Sequence, residues 1–385
     1  MSIYAANLLR ELVAHGHDVT MISQYRGDEF GRGVYGGGPP PPVEGVRVIG
    51  LEQLGEQQGG DFERDVETMV ATILKEHARD PFDVLHAQYG YPTGWAALIA
   101  GQRADLPVVV SIQGGDGHWV GSCCELHRHA MVRVLESANA VLIGGTSFAR
   151  EVHDRLGTPM ERFTIVPGAV DTTRFTPGGL GEGSEVRILY HGRVDRRKGV
   201  LDFVEAARSL QGSWRATISG IGPDLEAAKA LVRGYGLDGR IALTDYAEYA
   251  DVPQIYREHH VFASPTYAEG FSNTILEAMA SGLAIVSCDA VGVSDCLRDG
   301  ENGLLVAPGD VEALSAALQK LIDDPGLRRR LSGRALTECR ETYSWEFVGQ
   351  IIAGIYAEVE GRPRPFDTDL PAGPGCRFRR EPHLL

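Results

Sequence analysis

The chain has 385 residues, with 37 Lys and Arg against 52 Asp and Glu, a net charge of −15, 43% apolar and 23% charged residues. This composition excludes general disorder, and the negative field excludes a broad nucleic-acid-binding surface while leaving room for one local basic pocket within a Debye length. Such a length suits about two or three domains; no run approaches the ~18 apolar residues of a membrane span, no secretory signal opens the chain, and scattered cysteines suit a reduced, cytoplasmic protein.

Strand-like and helix-like runs then alternate along the chain. Residues 2–15 read as a helix, with Ile3, Leu8, Leu9 and Leu12 at helical spacing, and residues 17–23 as a strand. The stretch 36–42, three glycines and four prolines, reads as a loop or stiff linker. Strands follow at 84–86, 108–112 and 140–143, between helices at 61–79, 94–102, 125–138 and 147–156. The alternation restarts with strands at 187–190, 215–219, 240–243, 261–264 and 283–287, and helices near 199–210, 223–235, 272–281, 310–323 and 326–341. Alternation of this kind predicts parallel sheets with helices on both faces. It suggests two doubly wound α/β domains, at 1–176 and 184–343, joined by a glycine-rich linker at 177–183. One more amphipathic helix is expected at 344–360, and a proline-rich, flexible tail at 361–385.

Three stretches carry chemistry. The first runs from Pro265 to Val286: a strand end, Glu269-Gly270-Phe271, a cap candidate at Ser272 or Asn273, then a helix carrying Glu277. Amides at such a helix start bind anions. Ile275, Leu276 and Met279 share one helix face and Glu277 lies off it, which places Glu277 outside the core. Alone, such a glutamate reads as a solvated outer-face residue; Glu269, eight residues earlier in the loop, points instead to a paired site. The second stretch, Gly192-Arg193-Val-Asp-Arg-Arg-Lys198-Gly199, sits between a strand and a helix and concentrates four cations in an acidic chain. It reads either as a solvated basic turn or as a phosphate site, where Arg supplies a fork and Lys a point charge. The third, Gly220-Ile-Gly222-Pro223, lacks the third glycine of a dinucleotide fingerprint and reads equally as a tight turn or a ligand loop.

Together these motifs resemble glycosyltransferase family 4, the retaining enzymes of GT-B fold. The match rests on Glu269 and Glu277 followed by Ala-Met-Ala-Ser-Gly, on Gly192-Arg193 with Lys198-Gly199, on Gly220-Ile-Gly222-Pro223 and on the downstream segment from Asp299 to Val306, in order over about 160 residues. Weaker similarity covers Gly16-His17-Asp18-Val19 and the segment Val166 to Phe175. The resemblance implies two Rossmann-like domains facing a cleft. It implies that Arg193 and Lys198 bind the donor diphosphate, that Glu269 contacts the donor sugar, and that Glu277 accepts from ribose hydroxyls. The amides of Gly270, Phe271 and Ser272 would line phosphate and sugar, with Gly192, Gly222 and Asn273 completing the donor site. The expected reaction is retaining transfer of a hexosyl group from a nucleotide-diphosphate sugar to a hydroxyl of a small-molecule or glycan acceptor. UDP is the first expectation for the nucleotide, with GDP or ADP behind it. No cofactor and no metal are expected, and neither nucleic acid nor a stable membrane association is expected among the partners. Stabilising the departing diphosphate with fixed donors is the largest catalytic effect such a site offers.

The loop Ser111-Ile-Gln113-Gly-Gly-Asp116-Gly-His118 resembles the family's H-G-x-D loop, with Gln113 at the usual histidine. Gln113, Asp116 and His118 are therefore acceptor-side candidates, and Gln113 brings no titratable group. A polar loop with a surface histidine is the competing reading. The cluster Cys123, Cys124, His127 and His129 reads as helix-face residues, because four ligands within seven helical residues cannot converge on one tetrahedral ion. The resemblance also implies one further strand and glycine turn before residue 2. The first domain is thus expected to lack its first strand, leaving two neighbouring strands with unpaired edges. On this expectation Met1 is internal to a longer chain, or the start lies roughly 15–20 residues upstream, enough for a strand and a turn at ~3.3 Å per residue. The competing functions are a binding-only or inactive protein of the same fold and a GT-B epimerase or sugar phosphorylase. A serine hydrolase is disfavoured because no G-x-S-x-G occurs.

Overall fold

The computed structural model describes residues 3–25, 27, 39–57, 61–114, 121, 123–179 and 185–369. The chain forms two compact units, one from residues 1–167 together with 348–385 and the other from 168–347.

The first unit opens with α1 (Ile3–Ala14), β1 (Val19–Tyr25) and β2 (Val46–Glu52). Helix α2 (Phe62–Arg79) starts at Asp61, whose side chain accepts from the amide of Arg64, with Glu63 and Asp65 in the first turn and His77 and Arg79 in the last, each suited to its end of the helix dipole. Then come β3 (Leu85–Ala87), α3 (Trp95–Ala104), β4 (Val108–Ile112), α4 (Glu125–Ser137), β5 (Ala140–Ile143), α5 (Thr146–Leu156) and β6 (Phe163–Ile165). These strands make two separate parallel sheets, β1-β2 and β3-β4-β5-β6. Among the described residues β1 is bonded only to β2, and β3 only to β4. Val108, Val109 and Val110 are fully buried, as expected of a parallel strand covered on both faces.

The second unit holds β7 (Val186–His191), α6 (Val200–Ala207), β8 (Trp214–Ser219), α7 (Leu225–Gly234), β9 (Ile241–Thr244), α8 (Val252–Arg257), β10 (Val261–Ser264), α9 (Asn273–Ala280), β11 (Ala284–Cys288), β12 (Leu304–Val306), α10 (Val311–Asp323) and α11 (Pro325–Thr342). Its one sheet runs β12-β11-β10-β7-β8-β9, parallel throughout. Side-chain alternation sorts each strand between two cores. Ile188, Val261 and Val286 face a cluster with Phe203 and Leu318, while Leu189, Phe262 and Ile285 face one with Ile275, Met279 and Tyr256. Each such side chain contributes roughly 1.5–3 kcal/mol by leaving water.

The change of unit comes at residue 168, not at the glycine-rich stretch 177–183. The intervening residues belong to the second unit because they pack there: Val170 N–H donates to Tyr343 O at 2.8 Å, and Phe175 lies against Tyr249 and Tyr256. Helix α12 (Trp345–Glu358) leads out of the second unit, and from Val348 onward the chain belongs to the first. There Gly349 lies close against Glu11 of α1, and Asn139 Nδ2 donates to Glu360 O at 2.9 Å. No described helix is long and apolar enough to cross a membrane. The expected elements are present within a few residues. The sequence reading omitted β2, β6, β12 and α8, which are short or, in β2, only partly buried.

Candidate active site

In an open parallel sheet, ligands bind beyond the carboxyl ends of the strands where the strand order reverses. In the second unit that point lies between β7 and β10, which are hydrogen-bonded neighbours with their onward connections on opposite sides. The loop after β7 carries Gly192 to Lys198. The loop after β10 carries Glu269 to Ser272 and ends in α9. Two of the motifs therefore meet for a topological reason.

Their contact is direct. Lys198 Nζ lies 2.8 Å from Glu269 Oε2 and donates to Ala268 O at 3.3 Å. An ammonium has three donors, and the third has no protein partner among the described residues. The other cations divide into two roles. Arg196 forks onto Asp224, at 2.6 Å for Nη2, and Arg197 forks onto Asp195, also at 2.6 Å. The Arg197 pair closes within the turn, and the Arg196 pair ties the turn to Asp224 at the start of α7, so both guanidiniums are occupied by carboxylates of the loops themselves. Arg193 lies 3.3 Å from Asp195 Oδ2 and keeps a third of its side chain exposed. Burial pushes the Asp195 carboxyl up, but hydrogen bonds from Arg197 and the charges of Arg197 and Arg193 outweigh it and hold it at about 2. Asp195 is thus an anion at any working pH. Tyr190 Oη donates to Arg193 O at 2.9 Å and fixes the backbone that carries Arg193.

The third motif supports this loop from beneath. A Cβ on Gly220 would lie 1.9 Å from Gly192 O, and one on Gly222 2.2 Å from Val194 O. The glycines let two backbone turns touch, and Val194 N–H donates to Ile221 O at 2.9 Å. Here the tight-turn reading accounts for Gly222. A similar contact holds the acidic loop: Glu269 N–H donates to Val291 O at 2.9 Å, and a Cβ on Gly292 would meet Glu269 O at 2.2 Å.

Helix α9 is buried nearly all round, from Ile275 to Ala280. Glu277 is only 8% exposed, which corrects the expectation that it lies outside the core. The apolar stripe fails as a guide because Tyr256 of α8 covers the polar side of the helix. Tyr256 Oη donates toward Glu277 Oε2 at 3.0 Å and lies 3.2 Å from Thr274 O. Burial raises the Glu277 carboxyl to about 7, against the opposing pull of the Tyr256 hydroxyl and the Arg174 charge. Near neutral pH the carboxyl is thereby held partly protonated, and a new hydrogen-bond donor would favour its ionised form.

Ser272 is the residue before α9 and is buried, its hydroxyl 3.3 Å from that of Thr274. It makes no side-chain cap, so its hydroxyl leaves the helix amides uncovered. Phe271 packs on Tyr343, with ring centres 5.7 Å apart. Asn273 Oδ1 is buried with no hydrogen-bond partner among the described residues. Gly192 lies over the same first turn: a Cβ there would meet the Thr274 methyl at 3.9 Å. Gly192, Gly270, Phe271, Ser272 and Asn273 thus border one helix start. Sequence reasoning did not find Tyr256, Asp224, Arg174 or Gly292. Asp195 was visible inside the basic motif, but no local pattern distinguishes Tyr256.

In the first unit, Gln113 follows β4 and its amide donates to Gln88 Oε1 at 3.5 Å. Asp116 and His118 lie outside the described residues. Next to Gln113 is a group the sequence reading passed over as a strand residue. His86 Nε2 is 2.8 Å from Ser111 Oγ and 3.3 Å from Gln88 Nε2, and its Nδ1 meets Tyr356 Oη of α12. Desolvation lowers the His86 ring to about 4, so it is neutral at pH 7.

Comparisons with known proteins bear on the family and the fold. A family model described as "Glycosyl transferase 4-like domain" matches residues 1–169, and one described as "Glycosyl transferases group 1" matches residues 185–324. The chain is 25% identical over 411 aligned residues to a D-inositol 3-phosphate glycosyltransferase of Acidothermus cellulolyticus, covering 96% of this chain and 87% of that one. Among solved structures, sucrose-phosphate synthase from Thermosynechococcus elongatus superposes with a TM-score of 0.76 at 21% identity, covering 92% of both chains. Anabaena HepE in complex with UDP and glucose superposes with a TM-score of 0.68 at 18% identity, covering 81% of this chain and 86% of that one.

Proposed function

The chain belongs to the group 1, family 4-like glycosyltransferases of GT-B fold, and from that premise we propose that its second unit binds a nucleotide-diphosphate sugar, UDP-linked by first choice, and that the enzyme passes the hexosyl group to an acceptor hydroxyl with retention of configuration. The observation that carries this reading is the meeting of Lys198 and Glu269 where the strand order reverses. A cation and a carboxylate there suit the two halves of the donor, diphosphate and sugar.

Lys198 offers its remaining donor to the diphosphate, and Arg193 adds a guanidinium held from below by Asp195. The amides at the start of α9 add fixed partial charge. Charge building on the leaving diphosphate is thereby met by groups already in place, with no metal required for the transfer. Glu269 stays beside Lys198 and accepts from sugar hydroxyls. Glu277 accepts from ribose hydroxyls, with Tyr256 setting its orientation. On the acceptor side, Gln113 offers amide donor and acceptor atoms, and Asp116 and His118 are the candidates for acceptor binding or proton handling. That the solved HepE complex contains UDP and glucose supports UDP as the first nucleotide to try.

Hydrogen bonds from ribose favour the ionised carboxylate. UDP binding therefore takes a proton off Glu277, and affinity rises with pH across 7. The test follows sugar release from UDP-sugars in EDTA by proton NMR. Release of the sugar first as the anomer present in the donor supports the reading. Release of the opposite anomer, or activity restored only by added divalent metal, contradicts it.

A further inference from the structure

A second site lies at the start of α4, in the first unit. The helix begins at Glu125, with Cys124 as its capping residue and Cys123 outside it. The four candidates Cys123, Cys124, His127 and His129 are therefore not all helical, and the geometric objection to convergence holds only for His129. Cys123 Sγ is 2.9 Å from His127 Nδ1, and Cys124 Sγ is 3.4 Å from the same nitrogen. All three ligand atoms lie within 4.8 Å of one another.

We propose that Cys123, Cys124 and His127 form a binding site for one thiophilic divalent metal ion, zinc by its chemistry. A single imidazole nitrogen has one in-plane lone-pair or N–H position. Two sulfurs aimed at it compete as hydrogen-bond partners, whereas an ion among the three takes a bond from each. With bonds of about 2.3 Å to sulfur and about 2.0 Å to nitrogen, tetrahedral geometry sets sulfur and nitrogen about 3.5 Å apart. Against that spacing Cys124 Sγ, at 3.4 Å, is already in place, and Cys123 Sγ, at 2.9 Å, must move out by about 0.6 Å.

The surroundings favour the charged ligands such an ion needs. The amide of His127 points at Cys124 Sγ, and the positive end of a thirteen-residue helix lowers the cost of a thiolate. Two thiolates balance a divalent charge, and a sulfur-rich set with one imidazole selects zinc over magnesium or calcium. His127 is fully buried, and the rings of Tyr91 and Phe62, with centres 5.0 and 6.3 Å away, hold its orientation. Water or an outside ligand would take the fourth position. Bound there, the ion fixes the entry of α4 against Tyr91 and Phe62. It has no part in the transfer chemistry proposed above, and its test does not depend on that reading.

The test is titration of the reduced, metal-free protein with cobalt(II), followed by displacement with zinc(II). The site predicts a sulfur-to-cobalt charge-transfer band that saturates at one equivalent and is abolished by zinc. Cys123→Ser and Cys124→Ser should each halve the band, and the double variant should lose it while keeping its circular dichroism. If the double variant does not fold, the stoichiometry and the two single variants decide. A wild-type protein without the band, or a band unchanged in the single variants, overturns the proposal.

Discussion

The two units build a similar alternation in different ways. The second keeps six parallel strands in one sheet, so its strand order reverses between two bonded neighbours, β7 and β10. Among the described residues, the first divides its strands into sheets of two and four. In the second unit the reversal brings two charged loops together and a compact set of residues results. In the first, the polar residues at the strand ends, His86, Ser111, Gln88 and Gln113, form a chain of neutral hydrogen bonds. Charge is concentrated where the topology opens a crevice, and substitutions should sort by unit.

The largest effect should come from the cations. Arg193→Ala or Lys198→Ala should lower turnover about 100- to 1,000-fold, comparable to removing one preorganised donor from an oxyanion site. Gln113→Ala should leave UDP affinity unchanged in a calorimeter while altering the KM for acceptor. Equal loss of UDP affinity in all three variants would erase the distinction between the units.

Next come two proton linkages of opposite sign. Glu277 has a folded value of about 7 against an ordinary 4.5. The folded protein therefore holds the proton between these values, and stability falls as pH rises through that window. The gap corresponds to at most about 3 kcal/mol. Glu277→Gln removes the ionisation, so the stability difference between variant and wild type should widen in the variant's favour from pH 4.5 to 7 in urea titrations. His86, lowered from 6.5 to about 4, behaves the other way. The unfolded chain binds the proton first, so stability is lost as pH falls through 6.5 towards 4. NMR of the His86 ring should show it neutral at pH 5.5.

A backbone change should be smaller. Gly292 has φ +74° and touches Glu269 O. Gly292→Ala should cost about 1–3 kcal/mol and displace Glu269, raising the donor KM more than it lowers kcat. The smallest effect is expected from Tyr256→Phe. Losing one hydrogen bond to a carboxyl costs about 1 kcal/mol, and the variant should shift the pH dependence of UDP binding upwards.

Much of this was legible in the sequence. Periodicity placed nearly every helix and the buried strands, because a parallel sheet covered on both faces produces continuous apolar runs such as Val108 to Ile112. Glu269, Lys198 and Arg193 were identifiable from spacing and from the resemblance. What spacing does not contain is pairing. Four cations looked alike, yet Arg196 and Arg197 are bound by Asp224 and Asp195. Glu277 looked exposed by its helical phase, yet Tyr256, 21 positions earlier, buries it. Cys123 and Cys124 were counted as helical together with His127, yet both lie ahead of the helix, which starts at Glu125. Each of these depends on contacts or ends that local pattern does not encode. The change of unit at residue 168 instead of the glycine-rich stretch has the same origin, since Val170 and Phe175 are committed by their partners.

The most direct test of the central claim is isothermal titration of the protein with UDP, GDP and ADP, alongside Lys198→Ala and Glu277→Ala. The account predicts that one diphosphate, UDP first, binds at a single site and that both substitutions weaken it. Absence of binding by all three nucleotides, or binding unaffected by either substitution, would contradict a donor site at the β7–β10 reversal.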